Sequence, residues 1–356
     1  MIQAFLVAFL AVFLAYLSGK EKEHSFFLML AFAVLTIFLS LGYYWGNDVP
    51  TYEERFERYT NSGIALFDFG NYGFLALKEL GYVFINILCK PLGFWGMRAI
   101  LFLIENSIIC YFILRHVDRK WYWLATFIYA FNPCFWVLSS SMMRQWLAIC
   151  IIVLAVDFLL RRKSIVFFLL VLFASTIHIT AFVGLVFLPL SYVLKNSNKN
   201  TIIIYLIALF LYFVFSPVFI STLADILKEE DMFMGYTSNQ GGIGITAVGR
   251  MTIYLILLYA SLKFNLKDKL LNWIVLLYGF VLPLLSFGEL SSRIGFYFTI
   301  FTISTYPSYM AIPVQNKNVR TILIGVVCAY LLYSFYLFFT GQTYSAAYYH
   351  YRTIPF

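Results

Sequence analysis

The chain has 356 residues, of which 62% are apolar and 12% are charged, and its mean hydropathy is +0.84. Soluble globular domains have about half apolar and about a quarter charged residues, so this composition excludes an ordinary soluble domain. The formal net charge of +8 is explained by lysines and arginines in cytoplasmic loops, and it does not indicate a nucleic-acid partner.

Apolar runs recur along the chain at about the 20-residue length that a helix needs to cross a bilayer. The alternating pattern of transmembrane β-strands is absent from the sequence. We therefore predict an all-α, polytopic integral membrane protein, a single transmembrane domain over residues 1–356 with about 12 transmembrane helices. The predicted spans are residues 2–17, 26–45, 97–114, 121–138, 142–160, two short helices within 164–194, 202–220, 250–262, 270–287, 294–313 and 322–340.

The apolar run 164–194 is too long for one ordinary span, and we divide it at His178 because a polar cluster there is a natural turn. Two predicted outer loops, 46–96 between helices 2 and 3 and 221–249 between helices 8 and 9, contain long polar stretches, and in the first loop the polar stretch ends at about residue 78 and is followed by a short apolar segment. The first is expected to contain re-entrant or interfacial helices. The N-terminal run lacks a basic segment before it and is interpreted as a retained span.

The distribution of lysine and arginine predicts the orientation. With the N-terminus outside, the basic clusters at 20–22, 115–120, 161–163, 195–199, 263–269 and 317–320 all become cytoplasmic, as the positive-inside rule requires. Arg144, His178, Arg250 and Arg293 then lie at the outer face, where this charge bias favours no arginine.

Arg144, Arg250 and Arg293 each open a predicted helix that heads inward from this face. A cation at the positive end of a helix dipole is unfavourable unless an anion compensates it. Charges at the membrane edge are rare and are functional by default. The guanidinium fork also donates paired hydrogen bonds to phosphate. We predict that these arginines share a phosphate-bearing lipid; the alternative for each is that it reaches towards lipid headgroups.

His178 is predicted to act as a general base or a hydrogen-bond donor, since the ordinary pKa of histidine is near neutrality. The alternative is a polar residue that caps a short helix. The sequence has no HExxH or comparable ligand spacing, so we expect no metal site and no cofactor.

Acidic and aromatic residues of the outer face are further candidates. Asp48 and Glu79 lie close to span ends and could activate a sugar hydroxyl, although a solvated loop face is the alternative. Glu105 lies within a span and is expected to make a structural hydrogen bond. Four aromatic residues are candidates for stacking on sugars: Tyr43, Tyr44, Trp45 and Trp146.

Short motifs along nearly the whole chain resemble those of the EpsG/Wzy-type polysaccharide polymerase family. They are Gly46-Asn47-Asp48 with Tyr52 and Phe56, Ser141-Met142-Met143-Arg144-Gln145-Trp146-Leu147-Ala148, Ala174-Ser175-Thr176-Ile177-His178-Ile179-Thr180-Ala181, Ser291-Ser292-Arg293-Ile294-Gly295-Phe296-Tyr297-Phe298 and the ending Tyr349-His350-Tyr351-Arg352. The chain departs from the family at Tyr44-Trp45, where an arginine is often found, and this puts the role of Asp48 in doubt.

The resemblance implies a GT-C-like membrane enzyme that joins oligosaccharide repeat units of O-antigen, capsule or exopolysaccharide. The substrates would be undecaprenyl-diphosphate-linked glycans at the periplasmic or outer side of the bacterial inner membrane, with no metal or nucleotide sugar. Further partners would be membrane lipids and a chain-length regulator protein. Arg144, His178 and Arg293 would be catalytic. Substrate binding would fall to Arg250, Asp48, Glu79, Gln145, Ser141, Ser292, Tyr297 and Arg352.

Rival functions remain open at this point. An O-antigen ligase would use the same donor with another acceptor. A flippase or exporter of the same lipid would show repeated halves and substrate groups near the midplane, and no clear internal repeat is seen. A membrane O-acyltransferase is a weaker alternative.

Overall fold

The computed structural model describes residues 1–20, 24–62, 80–196, 257–259, 261, 263–264, 268–281, 289–312, 317–341 and 344–355. This part of the chain is mainly helical and contains no strand, apart from an isolated β-bridge between Gly42 and Thr353. The all-α prediction is confirmed. The predicted span 202–220, the predicted loop 221–249 and Arg250 lie outside the described residues.

The described helices are α1 Ile2–Lys20, α2 His24–Leu41, α3 Val49–Ser62, α4 Leu80–Leu88, α5 Gly93–His116, α6 Tyr122–Phe131, α7 Met143–Leu160, α8 Ser164–Ile177, α9 Phe187–Asn196, α10 Lys269–Val281, α11 Glu289–Thr299, α12 Thr302–Met310, α13 Lys317–Thr340 and α14 Ser345–Tyr348. A 3₁₀ segment, Ile179–Val186, joins α8 to α9. The predicted break at His178 is therefore confirmed.

Four of these helices, α1, α5, α7 and α13, are long and apolar enough to cross a membrane. Shorter apolar helices lie within α2, α8 and α10 and over the 3₁₀ segment with α9. A helix buries its backbone polar groups in its own hydrogen bonds, which is what a hydrocarbon environment demands. These helices indicate a membrane protein.

The predicted fourth span, 121–138, is helical only over its first half. Helix α6 ends at Phe131, and residues 132–141 form a series of tight turns. The cause is Pro133, which lacks an N–H group and disfavours helical geometry in the residue before it. The predicted eleventh span is also interrupted, since α11 ends at Thr299 and α12 begins at Thr302.

Helices α1 and α5 finish at the same end of the bundle, where Arg119 Nε donates to the Ser18 carbonyl oxygen at 3.2 Å. Helix α7 also finishes there, because Asp157 near its end forms an ion pair with Arg115 and a hydrogen bond with His116. We call this the basic end. Several of the basic clusters that the sequence assigns to the cytoplasm therefore share one end of the molecule.

The opposite end, where α1 and α7 begin, is called the serine-turn end. The Met1 ammonium group donates to the Tyr349 carbonyl oxygen at 2.7 Å. The Tyr348 hydroxyl lies 2.5 Å from Ser141 Oγ, just before α7. Helix α7 carries Arg144 at this end and Asp157 near the basic end, about 20 Å apart at 1.5 Å per residue.

The C-terminal tail packs over the serine-turn end and fixes the chain that leaves α2. Tyr43 N donates to the Arg352 carbonyl oxygen at 2.8 Å, and Trp45 Nε1 donates to the Tyr348 carbonyl oxygen at 3.0 Å. Trp45 is 1% exposed. It is a core residue, so its predicted role in sugar stacking is wrong.

Asp157 is the centre of a buried ionic cluster at the basic end. Its carboxylate is fully buried and accepts from Arg115 Nε at 2.8 Å, from Arg161 Nη2 and from His116 Nε2, which lies 3.0 Å away. The other His116 nitrogen, Nδ1, lies 3.8 Å from Asp268 Oδ2. The cluster joins the ends of α5 and α7 to the start of α10.

Glu105 does not make its predicted hydrogen bond. Both carboxylate oxygens are buried and accept no hydrogen bond from any described residue. Its neighbour Asn106 takes the structural role instead, because Asn106 Oδ1 accepts from the Tyr129 hydroxyl at 2.9 Å.

Candidate active site

The serine-rich turn delivers Arg144 into the first turn of α7, which begins at Met143. Ser139 Oγ donates to the Trp136 carbonyl oxygen at 2.5 Å, and Ser140 Oγ donates to the Val137 carbonyl oxygen at 2.9 Å. Short hydroxyl side chains satisfy nearby carbonyl groups in this way, which allows a buried chain to turn before a new helix. The predicted position of Arg144 at a helix start is confirmed.

Two tyrosine rings flank the half-buried guanidinium of Arg144. Its central carbon lies 5.6 Å from the ring centroid of Tyr52 on α3 and 5.9 Å from that of Tyr82 on α4. The negative faces of aromatic rings stabilise a cation that is partly withdrawn from water. Tyr82 gave no signal in the sequence, because only the tertiary packing of α4 brings it to Arg144.

His178 occupies the turn between α8 and the 3₁₀ segment. Its Nδ1 lies 2.7 Å from Thr180 Oγ1, which in turn lies 3.1 Å from the Tyr297 hydroxyl on α11. Among the described residues, the hydrogen bonds of the His178 ring are all made by Nδ1. Thr180 has one hydroxyl proton, so it donates to one neighbour and accepts from the other. The relay fixes the ring and leaves Nε2 for another partner.

The structure brings Arg144, His178 and Arg293 together. Burial and then the charges of Arg144 and Arg293 lower the pKa of His178, which lies outside the helices in the turn, to about 3. Both effects disfavour the imidazolium form. His178 is therefore neutral at pH 7 and is a weak base in the empty site.

Packing between α7, α11 and the 3₁₀ segment holds these three residues in place. Gln145 Nε2 donates to the Arg293 carbonyl oxygen at 2.7 Å, which ties the start of α7 to α11. A Cβ atom on Gly184 would lie 2.9 Å from Ile152 Cδ1, so the 3₁₀ segment packs closely against α7 at this point. Gln145 thus positions Arg293 through its backbone.

Arg293 does not open its helix, contrary to the sequence prediction. Helix α11 begins at Glu289, so Arg293 lies in its second turn. The helix-dipole effect falls off within the first turn, and it therefore applies to Arg144 more than to Arg293. Packing on Gln145 accounts for the placement of Arg293.

A second polar group adjoins the serine-rich turn. The backbone N–H of Asn47 donates to Ser141 Oγ at 2.7 Å, and Ser141 also bonds the Tyr348 hydroxyl. Gly46 has φ +141°, and a Cβ atom there would lie 3.0 Å from both Ser140 Oγ and Ser141 Oγ. The motif at 46–48 therefore docks against the turn that leads to Arg144.

The other predicted substrate-binding residues are placed as follows. Asp48 is exposed, and its charge reaches the Tyr348 hydroxyl. Arg352 is exposed at the same end. Glu79 and Arg250 lie outside the described residues, and only the backbone of Ser292 is described. Tyr297 is buried behind Thr180. Thr180 was not predicted as a site residue, although it lies within the motif that contains His178.

The depressed pKa of His178 leads to a prediction about pH. We expect His178 to stay neutral from pH 8 down to about pH 4 in the protein without substrate, because its pKa lies below the ordinary value of about 6.5. Its contribution to stability is full above pH 6.5 and is lost as the pH falls towards 3. Nitrogen NMR of histidine-labelled protein measures this, with His178→Gln to assign the signal; titration between pH 6 and 7 would contradict it.

The model of a family described as the EpsG family matches residues 25–353. The match covers all the motifs from Gly46 to Arg352, and it confirms the resemblance that those motifs indicated. No curated protein and no solved structure gives a significant match.

Proposed function

Because the chain belongs to the EpsG family of Wzy-type polysaccharide polymerases, we propose that it is a membrane glycosyltransferase acting on lipid-linked glycans. The donor is a growing glycan on undecaprenyl diphosphate, and the acceptor is a lipid-linked repeat unit. The observation that supports this most directly is the convergence of the Arg144 and Arg293 charges on the neutral His178.

The two guanidinium groups bind the diphosphate. During transfer, the bond between the anomeric carbon and the phosphate oxygen breaks, and its electron pair remains on the diphosphate. Arg144 and Arg293 stabilise the charge that develops there, as preorganised donors do in other transfer reactions. They provide the positive charge for which many phosphate-handling enzymes use a divalent metal ion, so we propose a metal-independent reaction.

To act as a base through Nε2, the neutral ring must carry its proton on Nδ1 and donate it to Thr180 Oγ1, which lies closer to Nδ1 than the Thr180 backbone nitrogen does. In this tautomer His178 accepts the proton of the attacking sugar hydroxyl through Nε2. With a pKa of about 3, His178 is neutral in the empty site but is too weak a base to remove a proton efficiently. A diphosphate bound between the arginines offsets their charges and raises the pKa of His178 towards its ordinary value. The base is thus activated when the donor is bound, and Thr180 keeps its ring in place.

The orientation follows from the charge distribution. Since the basic end is the cytoplasmic one under the positive-inside rule, the serine-turn end faces the periplasm or outside. Lipid-linked repeat units on that side would reach Arg144 from the membrane. The proposed reaction therefore takes place at the outer leaflet of the bacterial inner membrane.

The test is reconstitution with the lipid substrate. We expect purified protein in detergent, given undecaprenyl-diphosphate-linked repeat units, to produce a ladder of products spaced by one repeat unit and to release one undecaprenyl diphosphate per transfer. Unchanged substrate in detergent, with movement of the lipid only in vesicles, would identify a flippase and overturn the proposal. Transfer only to a lipid A core acceptor would identify a ligase.

A further inference from the structure

Three aromatic side chains form a cluster at the serine-turn end, outside the arginine site. Tyr43 and Tyr44 follow α2, and Trp95 lies in the first turn of α5. Their ring centroids are 4.5 Å apart between the two tyrosines and 5.3 and 5.4 Å from Trp95 to Tyr43 and Tyr44. Tyr44 is 38% exposed, and the other two are half-buried. We call this group the aromatic shelf.

The shelf is held rigidly. Tyr44 has φ +46°, in the left-handed region that a tyrosine adopts only when its surroundings impose it. The buried Arg98 lies 5.4 Å beneath the Trp95 ring, and its guanidinium donates to the carbonyl oxygens of Gly42 and Trp45 on either side of the two tyrosines. Strained backbone of this kind is concentrated at functional sites.

A carboxylate stands beside the shelf. The Tyr44 hydroxyl donates to Glu53, a half-buried residue of α3. Isolated tyrosines and tryptophans are common at membrane interfaces, where each ring anchors the protein separately. Here three rings contact one another, and a carboxylate accepts a hydrogen bond from one of them. Aromatic surface beside a hydrogen-bond acceptor suits a polyhydroxyl ligand better than an anionic lipid headgroup.

The shelf and the arginine site are on two sides of the same helix. Tyr52 of α3 faces Arg144, and its neighbour Glu53 faces Tyr44. Consecutive residues point about 100° apart around a helix, so Arg144 and the aromatic rings lie against adjoining faces of α3, on the order of 10 Å apart. A glycan attached to the diphosphate is long enough to pass over this helix.

We propose that Tyr43, Tyr44 and Trp95 bind the glycan chain of a substrate, with Glu53 accepting hydrogen bonds from its hydroxyl groups. The apolar faces of sugar rings stack on the exposed aromatic surface, which supplies rigid contact area at little cost in entropy. The inference rests on the proposed function for the identity of its ligand. The shelf holds the part of the glycan that lies just beyond the sugars nearest the diphosphate, and it increases the length of the polymer made per binding event.

The first measurement is direct binding, which needs no catalysis. The probe is an oligosaccharide of one to four repeat units, released by mild hydrolysis from the polysaccharide of the host, without lipid or diphosphate. We expect Trp95→Ala and Tyr44→Ala each to weaken its binding to the purified, detergent-solubilised protein about tenfold or more, as measured by calorimetry. Tyr333→Ala, which removes an exposed tyrosine from α13, is the matched control and should bind as the wild type does.

The second measurement separates the shelf from the arginine site. In the reconstituted reaction, the shelf variants should keep kcat for the first transfer, raise KM for longer glycans and shorten the product ladder. Tyr44→Phe retains the ring, so it should lose less than Tyr44→Ala. Unchanged glycan binding and product length in both alanine variants would overturn the proposal, as would a loss of thermal stability alone, which would indicate a membrane-interface role. The protein could also bind glycan through the shelf and yet form no polymer. This result would contradict the proposed polymerase function but would support the proposed glycan-binding site.

Discussion

Arg144→Ala is expected to reduce polymerisation at least about 100-fold, since loss of one preorganised donor to a developing oxyanion costs this much in other enzymes. Arg293→Ala should have an effect of similar size, because both charges act on the same small region around His178. The measurement is the initial rate of undecaprenyl diphosphate release in the reconstituted reaction, together with the length of the products.

The protein should remain folded in these variants. The Arg144 side chain is half-buried against Tyr52 and Tyr82, so its loss should cost no more than about 2 kcal/mol of stability. Arg144→Lys is a stricter test, because an ammonium group keeps the charge but not the planar fork of donors. We expect it to remain at least about tenfold slower than the wild type.

Arg58→Ala is the matched control, since Arg58 is an exposed arginine of α3 that stacks on Tyr59. It should leave the rate unchanged. An independent check is the pKa of His178, which should rise from about 3 in Arg144→Ala and in Arg293→Ala because each variant removes one positive charge beside the imidazole. Polymer of normal length from both alanine variants would refute the assignment of these arginines.

The local features of this site were readable from the sequence. A serine-rich break followed by arginine predicted that Arg144 starts a helix, and the polar cluster around His178 predicted the break between α8 and the 3₁₀ segment. Both predictions depend on residues that interrupt an apolar run. A polar residue within an apolar run favours a turn or a helix end locally, because an unsatisfied polar group in an apolar environment is costly.

Features that depend on tertiary packing were not readable. Trp146 is 0% exposed and lies in the core, so its predicted role in sugar stacking is wrong. In a membrane protein, residues facing lipid and residues facing the core are both apolar, so hydropathy does not distinguish them. The role of Tyr82 beside Arg144 could not be predicted for the same reason. The start of α11 was also predicted wrongly, because the helix begins at Glu289 and not after Arg293.

The ionic cluster at the basic end was also missed, although it left a signal in the sequence. Asp157 lies four residues before Arg161 within an otherwise apolar helix, a spacing that places the two side chains on one helix face. The contacts with Arg115 and His116 come from α5 and required the fold. A charge inside an apolar run indicates that partners exist, but only the packing of helices identifies them.

Asp157→Ala is expected to destabilise the protein by about 1–3 kcal/mol, the cost of losing charge-assisted hydrogen bonds to a buried acceptor whose arginine partners remain partly exposed to solvent. The carboxylate is 0% exposed and is the common partner of Arg115, Arg161 and His116. Its removal would take away the acceptor that these three residues share, and among the described residues Arg161 would keep only its bond to the Tyr111 hydroxyl. Thermal unfolding in detergent, followed by circular dichroism, measures the effect, and Asp157→Asn should fall between the wild type and the alanine variant because it keeps an acceptor oxygen but not the charge.

Glu54→Ala provides the control, because Glu54 is an exposed carboxylate of α3 outside the cluster. It should change stability by less than about 0.5 kcal/mol, as surface substitutions usually do. Equal unfolding temperatures for Asp157→Ala and Glu54→Ala would show that the cluster does not hold the helices together. The loss of the Asp157 cluster should also affect the arginine site. Helix α7 carries Arg144 at its other end, and Asp268 lies at the start of α10, the helix that precedes α11 and Arg293. A loosened cluster should therefore lower the rate of transfer at temperatures where the protein is still folded, without altering the shelf's affinity for free glycan.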